Sequence, residues 1–219
     1  MRKEFDLQSG EGIMALTDQE RAEFAAMSSA LICDAMEALN LPQSVVVGFM
    51  LMGRPGAKFA GPAVTLRQIP KTARDDREAR MTKHRTLSRE VAKRGDVVVV
   101  DNGGRLNCAT WGEFHGLACR QRGVAGVIIH GATRDGPEIR DSGLPTFVRG
   151  LTPLTSKFDL KTVSINEPVM LGDVEVCPGD IIFADETGVV VVPSTKKDAV
   201  LEKARELIKG EDAERAKVS

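Results

Sequence analysis

The sequence predicts an α/β fold built on parallel strands, and three observations carry that prediction. Gly95-Asp96 opens a short apolar run, Val97 to Val100, that leaves through Asp101, and Val124 to Ile129 forms a second such run. Between them lie Trp111-Gly112-Glu113-Phe114-His115-Gly116 and a helical segment carrying Leu117, Ala118 and Gln121. The second run passes into another loop, His130-Gly131-Ala132-Thr133-Arg134-Asp135-Gly136. Loops at the carboxyl ends of neighbouring parallel strands lie side by side, so Gly112 to His115 and Arg134-Asp135 are expected to face one crevice.

The remaining elements follow in chain order. Thr17-Asp18-Gln19-Glu20 reads as a capping box and starts a helix. Ser28 or Ser29 caps a second one, whose apolar face is Leu31, Ile32, Ala35, Met36 and Leu39 and which ends at Asn40 and Pro42. Glycines and prolines punctuate Gly48 to Pro62, after which Ala63 to Leu66 reads as a strand. Lys71 to Arg94 holds nine Lys or Arg and four Asp or Glu with no Gly or Pro, which predicts an exposed helix with His84 in solvent.

Short strands fill the carboxyl third, at Val169 to Leu171, Val174 to Val176, Ile181 to Ala184 and Val189 to Val192, with Gly172-Asp173 as a hairpin turn. Gly179-Asp180 with Asp185 echoes Gly95-Asp96 with Asp101, although two segments do not make a repeat. Ser194 or Thr195 is expected to cap a final helix with Ala199, Val200, Ala204 and Leu207 as its stripe. Gly210 is expected to end or interrupt it before a charged tail, Glu211 to Ser219.

A length of 219 residues, 42% hydrophobic, fits one domain over 1–219, with 194–219 as its carboxyl-terminal helix and tail. No apolar run approaches the roughly 20 residues of a spanning helix, and Met1 to Asp6 lacks the apolar segment of a secretory signal. A cytoplasmic protein is the expectation. Thirty basic against 31 acidic residues give a formal charge of -1 and no global drive toward nucleic acid or membrane. Cys33, Cys108, Cys119 and Cys177 form no Cys-x-x-Cys pair, so buried free thiols are expected rather than a zinc or redox motif.

The chemistry is expected in the crevice. The first amides of the helix after Gly112 can bind a carboxylate or enolate oxygen, and Gly112 lets a ligand approach the backbone. The plainer alternative is that Gly112 relieves a tight turn and Glu113 complements the helix dipole. Arg134 offers a rigid fork for a carboxylate or carbonyl, and Asp135 a donor for a hard cation. His115 and His130 flank the crevice, where either can exchange protons or serve structurally. Gly-x-Ser-x-Gly, Gly-x-x-x-x-Gly-Lys and His-Glu-x-x-His motifs are absent.

Gly95-Asp96 with Asp101, Gly103-Gly104, Ala109-x-x-Gly112-Glu113, Arg122-Gly123-Val124-x-Gly126-Val127, Gly131-x-x-Arg134-Asp135 and Leu144-Pro145-x-Phe147 together resemble the RraA-like family from about Ala30 to Leu207. That family includes magnesium-dependent 4-hydroxy-4-methyl-2-oxoglutarate and 4-carboxy-4-hydroxy-2-oxoadipate aldolases, and a protein that inhibits the RNA-degrading endonuclease E. The resemblance implies a swivelling β/β/α domain with a terminal helical arm, assembled into trimers or hexamers with active sites at subunit interfaces. It places Gly112, Glu113, Phe114 and His115 in a pyruvate-cradling loop, with Arg134 polarising the pyruvate unit. Asp135 then holds Mg2+ or Mn2+, and Glu113 is the acidic residue that orients metal-bound water. His115 and His130 stand where aldolase members carry leucine and aspartate or asparagine.

The expected function is a divalent-metal lyase that cleaves a 4-hydroxy-2-oxo acid to pyruvate, with oxaloacetate decarboxylation as a companion reaction through the same enolate. The expected partners are that small 2-oxo acid and further copies of the chain, with neither nucleic acid nor membrane. The rival expectation is a catalytically silent regulator that binds a ribonuclease.

Overall fold

A computed structural model of the chain describes residues 16–218, with side chains described through residue 210, so the readings made of Met1 to Asp6 and of the tail side chains lie outside the described residues. Thr17 caps α1 (Asp18–Ala26): its hydroxyl accepts from Glu20 N at 3.1 Å, while Glu20 Oε2 accepts from Thr17 N at 2.7 Å. Ser28 caps α2 (Ser29–Ala38) by accepting from Leu31 N at 3.2 Å, and Leu31, Ile32, Ala35 and Met36 form its buried face. Asn40 then turns the chain with φ 53°.

Short strands β1 (Val45–Val46) and β2 (Met50–Met52) precede the long β3 (Phe59–Pro70). A helical turn, α3 (His84–Thr86), runs into a π-helical turn at Leu87–Val91. Next come β4 (Val97–Asp101), β5 (Ala109–Trp111), α4 (Glu113–Gln121), β6 (Gly126–Thr133), α5 (Gly136–Ser142) and β7 (Thr146–Leu151). After β8 (Leu160–Ile165), β9 (Val169–Leu171) and β10 (Val174–Val176) form the predicted hairpin, and Gly172 takes φ 67° in its turn. β11 (Ile181–Asp185), β12 (Gly188–Val192), a 3-10 turn at Ser194–Lys196 and α6 (Lys197–Val218) complete the chain.

One ten-stranded mixed sheet runs β1-β12-β11-β3-β4-β6-β7-β2, with β5 paired to β6 and β8 to β3. Its centre is parallel, β3 to β4 to β6 to β7, as the spacing of the two apolar runs predicts. Because side chains alternate across a strand, Val98, Val100, Val127 and Ile129 pack with Cys119 of α4 and Ile139 of α5 on one face. Val97, Val99 and Ile128 meet Val169, Leu171 and Val176 of the hairpin on the other. A third cluster joins Ile32 and Met36 of α2, Phe183 and Val190 of the sheet, and Val200, Leu201 and Ala204 of α6. The fold is therefore mixed α/β, with the sheet between a hairpin and helices.

The Gly-Asp echo has a physical basis. Gly95 and Gly179 take φ 82° and 89°, and the next aspartate closes each turn by accepting an amide three residues back: Lys93 N to Asp96 at 2.7 Å and Cys177 N to Asp180 at 2.9 Å. At the strand exits Asp101 accepts from Gly103 N and Asp185 from Thr187 N. The two strands, β4 and β11, flank β3 on opposite edges, one parallel and one antiparallel.

Several expectations are corrected. Lys71 to Arg94 is not one helix, because its polar side chains bind backbone locally. Asp75 Oδ2 accepts from Thr72 N, Asp76 Oδ1 accepts from Glu78 N and Ala79 N, and Lys71 Nζ donates to the carbonyls of Asp76 and Ala79. His84 is buried, not exposed. β3 starts at Phe59 because Phe59 and Ala60 are buried, and it runs through Pro62 opposite Ile181. β6 continues to Thr133 because β5 and β7 both pair with its last residues. Among the described residues no side-chain hydrogen bond from Ser194 or Thr195 caps α6, which passes through Gly210. Its buried stripe is Val200, Leu201 and Ala204, with Ala199 exposed, and packs on α2 of the same chain. Lys197 at its start pairs with Glu20, and that contact above all holds the Glu20 carboxyl down at about 2.

Among the described residues no helix is long and apolar enough to cross a membrane. The tightest backbone approach at the strand junction is at Gly61, where an added Cβ would stand 2.2 Å from Gly95 O. Gly61→Ala is therefore expected to lower stability by about 1 to 3 kcal/mol through overpacking, read as a lower urea midpoint with an unchanged m-value.

Candidate active site

β4 and β6 are paired so that Asp101 lies opposite His130, and β5 then pairs Trp111 with Thr133. Arg134 N donates to Trp111 O at 3.2 Å, which joins the entry of α4 to the turn before α5. The two predicted loops thus meet, although β5 stands between β4 and the first of them. Together they border a crevice of about 320 Å³ whose lining includes Gly112, Phe114, His115, Arg134 and Asp135.

Asp135 organises this corner. Its Oδ2 accepts from Glu113 N at 3.2 Å and from Arg134 Nε at 3.2 Å. The carboxylate thereby caps α4 from outside the helix, where Gly112 has no side chain to do so. Asp135 sits at φ 57°, a left-handed conformation that Asp tolerates better than most side chains and that clusters at functional sites. Gly112 is extended at φ −169°, so its lack of a side chain matters for space: a Cβ there would stand 2.7 Å from Asp135 Oδ2 and 3.3 Å from Arg134 Cγ. The glycine makes room for the Arg-Asp pair.

Glu113 does not line the crevice with its side chain; its amide is held by Asp135. The Phe114 N–H has no acceptor among the described residues, so it is the helical amide left for a ligand. His130 is also outside the crevice. At the same register Arg67, Asp101 and His130 line up on one face of three parallel strands, and His130 Nδ1 lies 3.3 Å from Asp101 Oδ1.

His115 does line it, beside two aromatic neighbours, with ring centroids 5.1 Å from Trp111 and 5.2 Å from His84. Burial, then Arg89 and Arg134, pull the His115 pKa down to about 4; burial, then His115, pull His84 to about 3. Both rings are neutral at pH 7. Gln68 Nε2 donates to His84 Nε2 at 2.8 Å, and Thr110 Oγ1, 3.1 Å from the same nitrogen, donates to Gln68 Oε1.

Arg80, Thr82, His84, Thr110, Thr155, Ser156 and Lys157 complete the polar wall. Thr110 was legible in principle, since it precedes Trp111-Gly112 in a short apolar strand. The others come from polar segments with no periodic signal. Asp135 Oδ1 accepts nothing from the described residues, and its side chain is 29% exposed in the crevice. Among the described residues no three His, Cys, Asp or Glu gather into a metal cage. A magnesium-type cation takes one or two carboxylates and completes its shell with water and substrate oxygens, which fits this donor set.

The family model described as RraA-like, Aldolase/RraA, matches residues 29–191. Protein DlpA of Legionella pneumophila subsp. pneumophila is 31% identical over 181 residues, covering 80% of this chain and 28% of that protein. The chain thus spans little more than a quarter of DlpA. The 4-hydroxy-4-methyl-2-oxoglutarate aldolase of Thermus thermophilus is 34% identical over 137 residues, 63% of this chain and 77% of that enzyme. The crystal structure of Streptomyces coelicolor RraAS2, described as an unusual member of the RNase ES inhibitor RraA protein family, superposes with a TM-score of 0.80 at 28% identity, covering 91% of this chain and 97% of that one.

The two neutral histidines set a pH dependence. An unfolded histidine titrates near 6.5, so between 6.5 and about 4 the unfolded chain binds more protons than the folded one. Their contribution to stability is complete above 6.5 and is lost as pH falls toward 4. The urea midpoint is expected to drop between pH 7 and pH 5, and to drop less in His115→Gln; equal slopes would place His115 in water.

Proposed function

The chain belongs to the RraA-like family, and from that premise we propose a divalent-metal-dependent lyase that cleaves a 4-hydroxy-2-oxo acid to pyruvate, with oxaloacetate decarboxylation as a second reaction. One observation carries this reading: the Arg134-Asp135 pair is held on a left-handed turn against the side-chain-free Gly112, at the amino end of α4 and in the wall of the crevice. Relatives named as aldolases support it. A silent ribonuclease regulator has no need of a free carboxylate oxygen and a guanidinium fork in one crevice.

Asp135 Oδ1 is the atom that would hold the cation, Mg2+ or Mn2+, which when bound supplies Lewis-acid polarisation of a 2-oxo acid. This chain's own residues do the rest. Arg134 directs its guanidinium at the C2 oxygen and stabilises the charge that develops there as the carbon–carbon bond breaks and pyruvate enolate departs. The Phe114 N–H, at the positive end of α4, donates to the substrate carboxylate. Gly112 keeps the wall open for that approach, and Phe114 and His115 exclude water from one side. The 4-hydroxyl proton leaves to water and the enolate carbon takes a proton from water; the Glu113 side chain, half-buried and outside the crevice lining, acts only by orienting that water. The family assembly we propose is a homotrimer or hexamer, tested by sedimentation at micromolar concentration.

The reading is tested by pyruvate release from a panel of 4-hydroxy-2-oxo acids and oxaloacetate, with magnesium and with chelator. Turnover that needs magnesium is expected, and no pyruvate from any substrate overturns the proposal. Asp135→Asn retains an oxygen that can accept from Glu113 N, so the fold is expected to survive while magnesium-dependent turnover is lost; unchanged turnover would remove Asp135 from the metal site. Arg134→Lys keeps the charge and loses the fork, and kcat is expected to fall about 100-fold, as for removal of one oxyanion donor. Wild-type kinetics in that variant would make the arginine peripheral.

A further inference from the structure

A second cavity, of about 220 Å³, shares its walls with the crevice. Three segments contribute to both. Lys71 and Arg77 face the second cavity and Arg80 and Thr82 the first; Arg105 and Cys108 face the second and Ala109 and Thr110 the first; Phe158 and Leu160 face the second and Ser156 and Lys157 the first. Isolated bridges Met81 to Lys161 and Ala109 to Thr155 tie these segments together.

The charges in the second cavity do not balance. Lys71, Arg77 and Arg105 face a single carboxylate, Asp159. Lys71 Nζ is already committed to backbone carbonyls, whereas the side chains of Arg77 and Arg105 make no hydrogen bond or ion pair with any described residue and are exposed. A guanidinium is planar and matches a carboxylate with two parallel N–H donors, so two unpaired arginines in one small cavity provide two such forks. Pro70, Phe158 and Leu160 add an apolar surface between polar groups, and Asn107 adds an amide. Cys108 is buried and its thiol is pushed up, first by burial and then by Asp159, so it offers no reactive nucleophile.

We propose that this cavity is a binding site for a small organic dicarboxylate, with one carboxylate on Arg77, the other on Arg105, and the carbon spacer against Pro70, Phe158 and Leu160. The assignment does not depend on the reaction assigned to the crevice. An occupant joins the Lys71–Thr82 and Arg105–Thr110 segments, which carry Arg80 and Thr110 of the crevice wall, so the site is a regulatory one. Inorganic phosphate shares the anionic chemistry but has no spacer for the apolar surface.

The test is calorimetric titration of the full-length protein with succinate, which lacks the 2-oxo group that Arg134 would polarise. Wild type and Arg134→Gln are expected to bind equally, Arg77→Gln/Arg105→Gln at least tenfold more weakly, and each single variant severalfold more weakly. Phosphate is expected to bind wild type at least tenfold more weakly than succinate. Urea midpoints of the variants should match wild type, since neither arginine packs in the core. Absence of succinate binding at millimolar concentration overturns the proposal. So does full affinity in the double variant, or loss of binding in Arg134→Gln, which would put the dicarboxylate in the crevice. Phosphate binding as tight as succinate overturns the dicarboxylate assignment.

Discussion

The constraint on which the rest of the structure depends is the need of β3 for backbone partners on both edges. Its buried stretch, Phe59 to Leu66, takes β11 on one edge at Phe59–Pro62 and β4 on the other from Ala63 onward. A buried strand with an unpaired edge leaves amides and carbonyls without water, so both neighbours must begin at the right place. The Gly-Asp turns before β4 and β11 set those starting points, each closed by an aspartate that accepts a backbone amide. With β4 in register, β6 and β7 follow in parallel, and the loops of the crevice are carried to one edge of the sheet.

At that edge one carboxylate serves two elements. Asp135 ends the left-handed turn before α5 and at the same time caps α4, so the dipole of one helix is answered by a residue twenty-two positions away. Holding Arg134 Nε on the same oxygen leaves the other oxygen facing the crevice. A side chain without an accepting oxygen at this position would release both helix entries, and Gly112 is equally constrained because any side chain there would collide with the pair. Packing and chemistry therefore depend on the same few atoms.

The polar segment between β3 and β4 behaves differently. Without an apolar stripe it has no reason to lie down as a helix, and its Thr, Asp and Lys side chains are used up in local turns. The result is an irregular wall held by Lys161 on Asp75 and by the bridge at Met81. That wall separates two cavities and supplies cations to both.

Apolar spacing by itself determined the parallel β4–α4–β6 unit, and local capping chemistry determined α1, α2 and the β9–β10 hairpin, because those signals depend on neighbours within a few residues. Gly112 and Arg134-Asp135 were legible for the same reason: they lie at strand ends whose direction the pattern sets. Tertiary structure alone decided that the Glu113 amide is held by Asp135 with its side chain outside the crevice lining, that His130 turns to Asp101 across the sheet, and that His84 is buried beside His115. It also decided that α6 continues past Gly210 and that its stripe is covered by α2. Each of these rests on a partner far away in the chain, and burial or a hydrogen bond across such a distance leaves no periodic trace in the sequence.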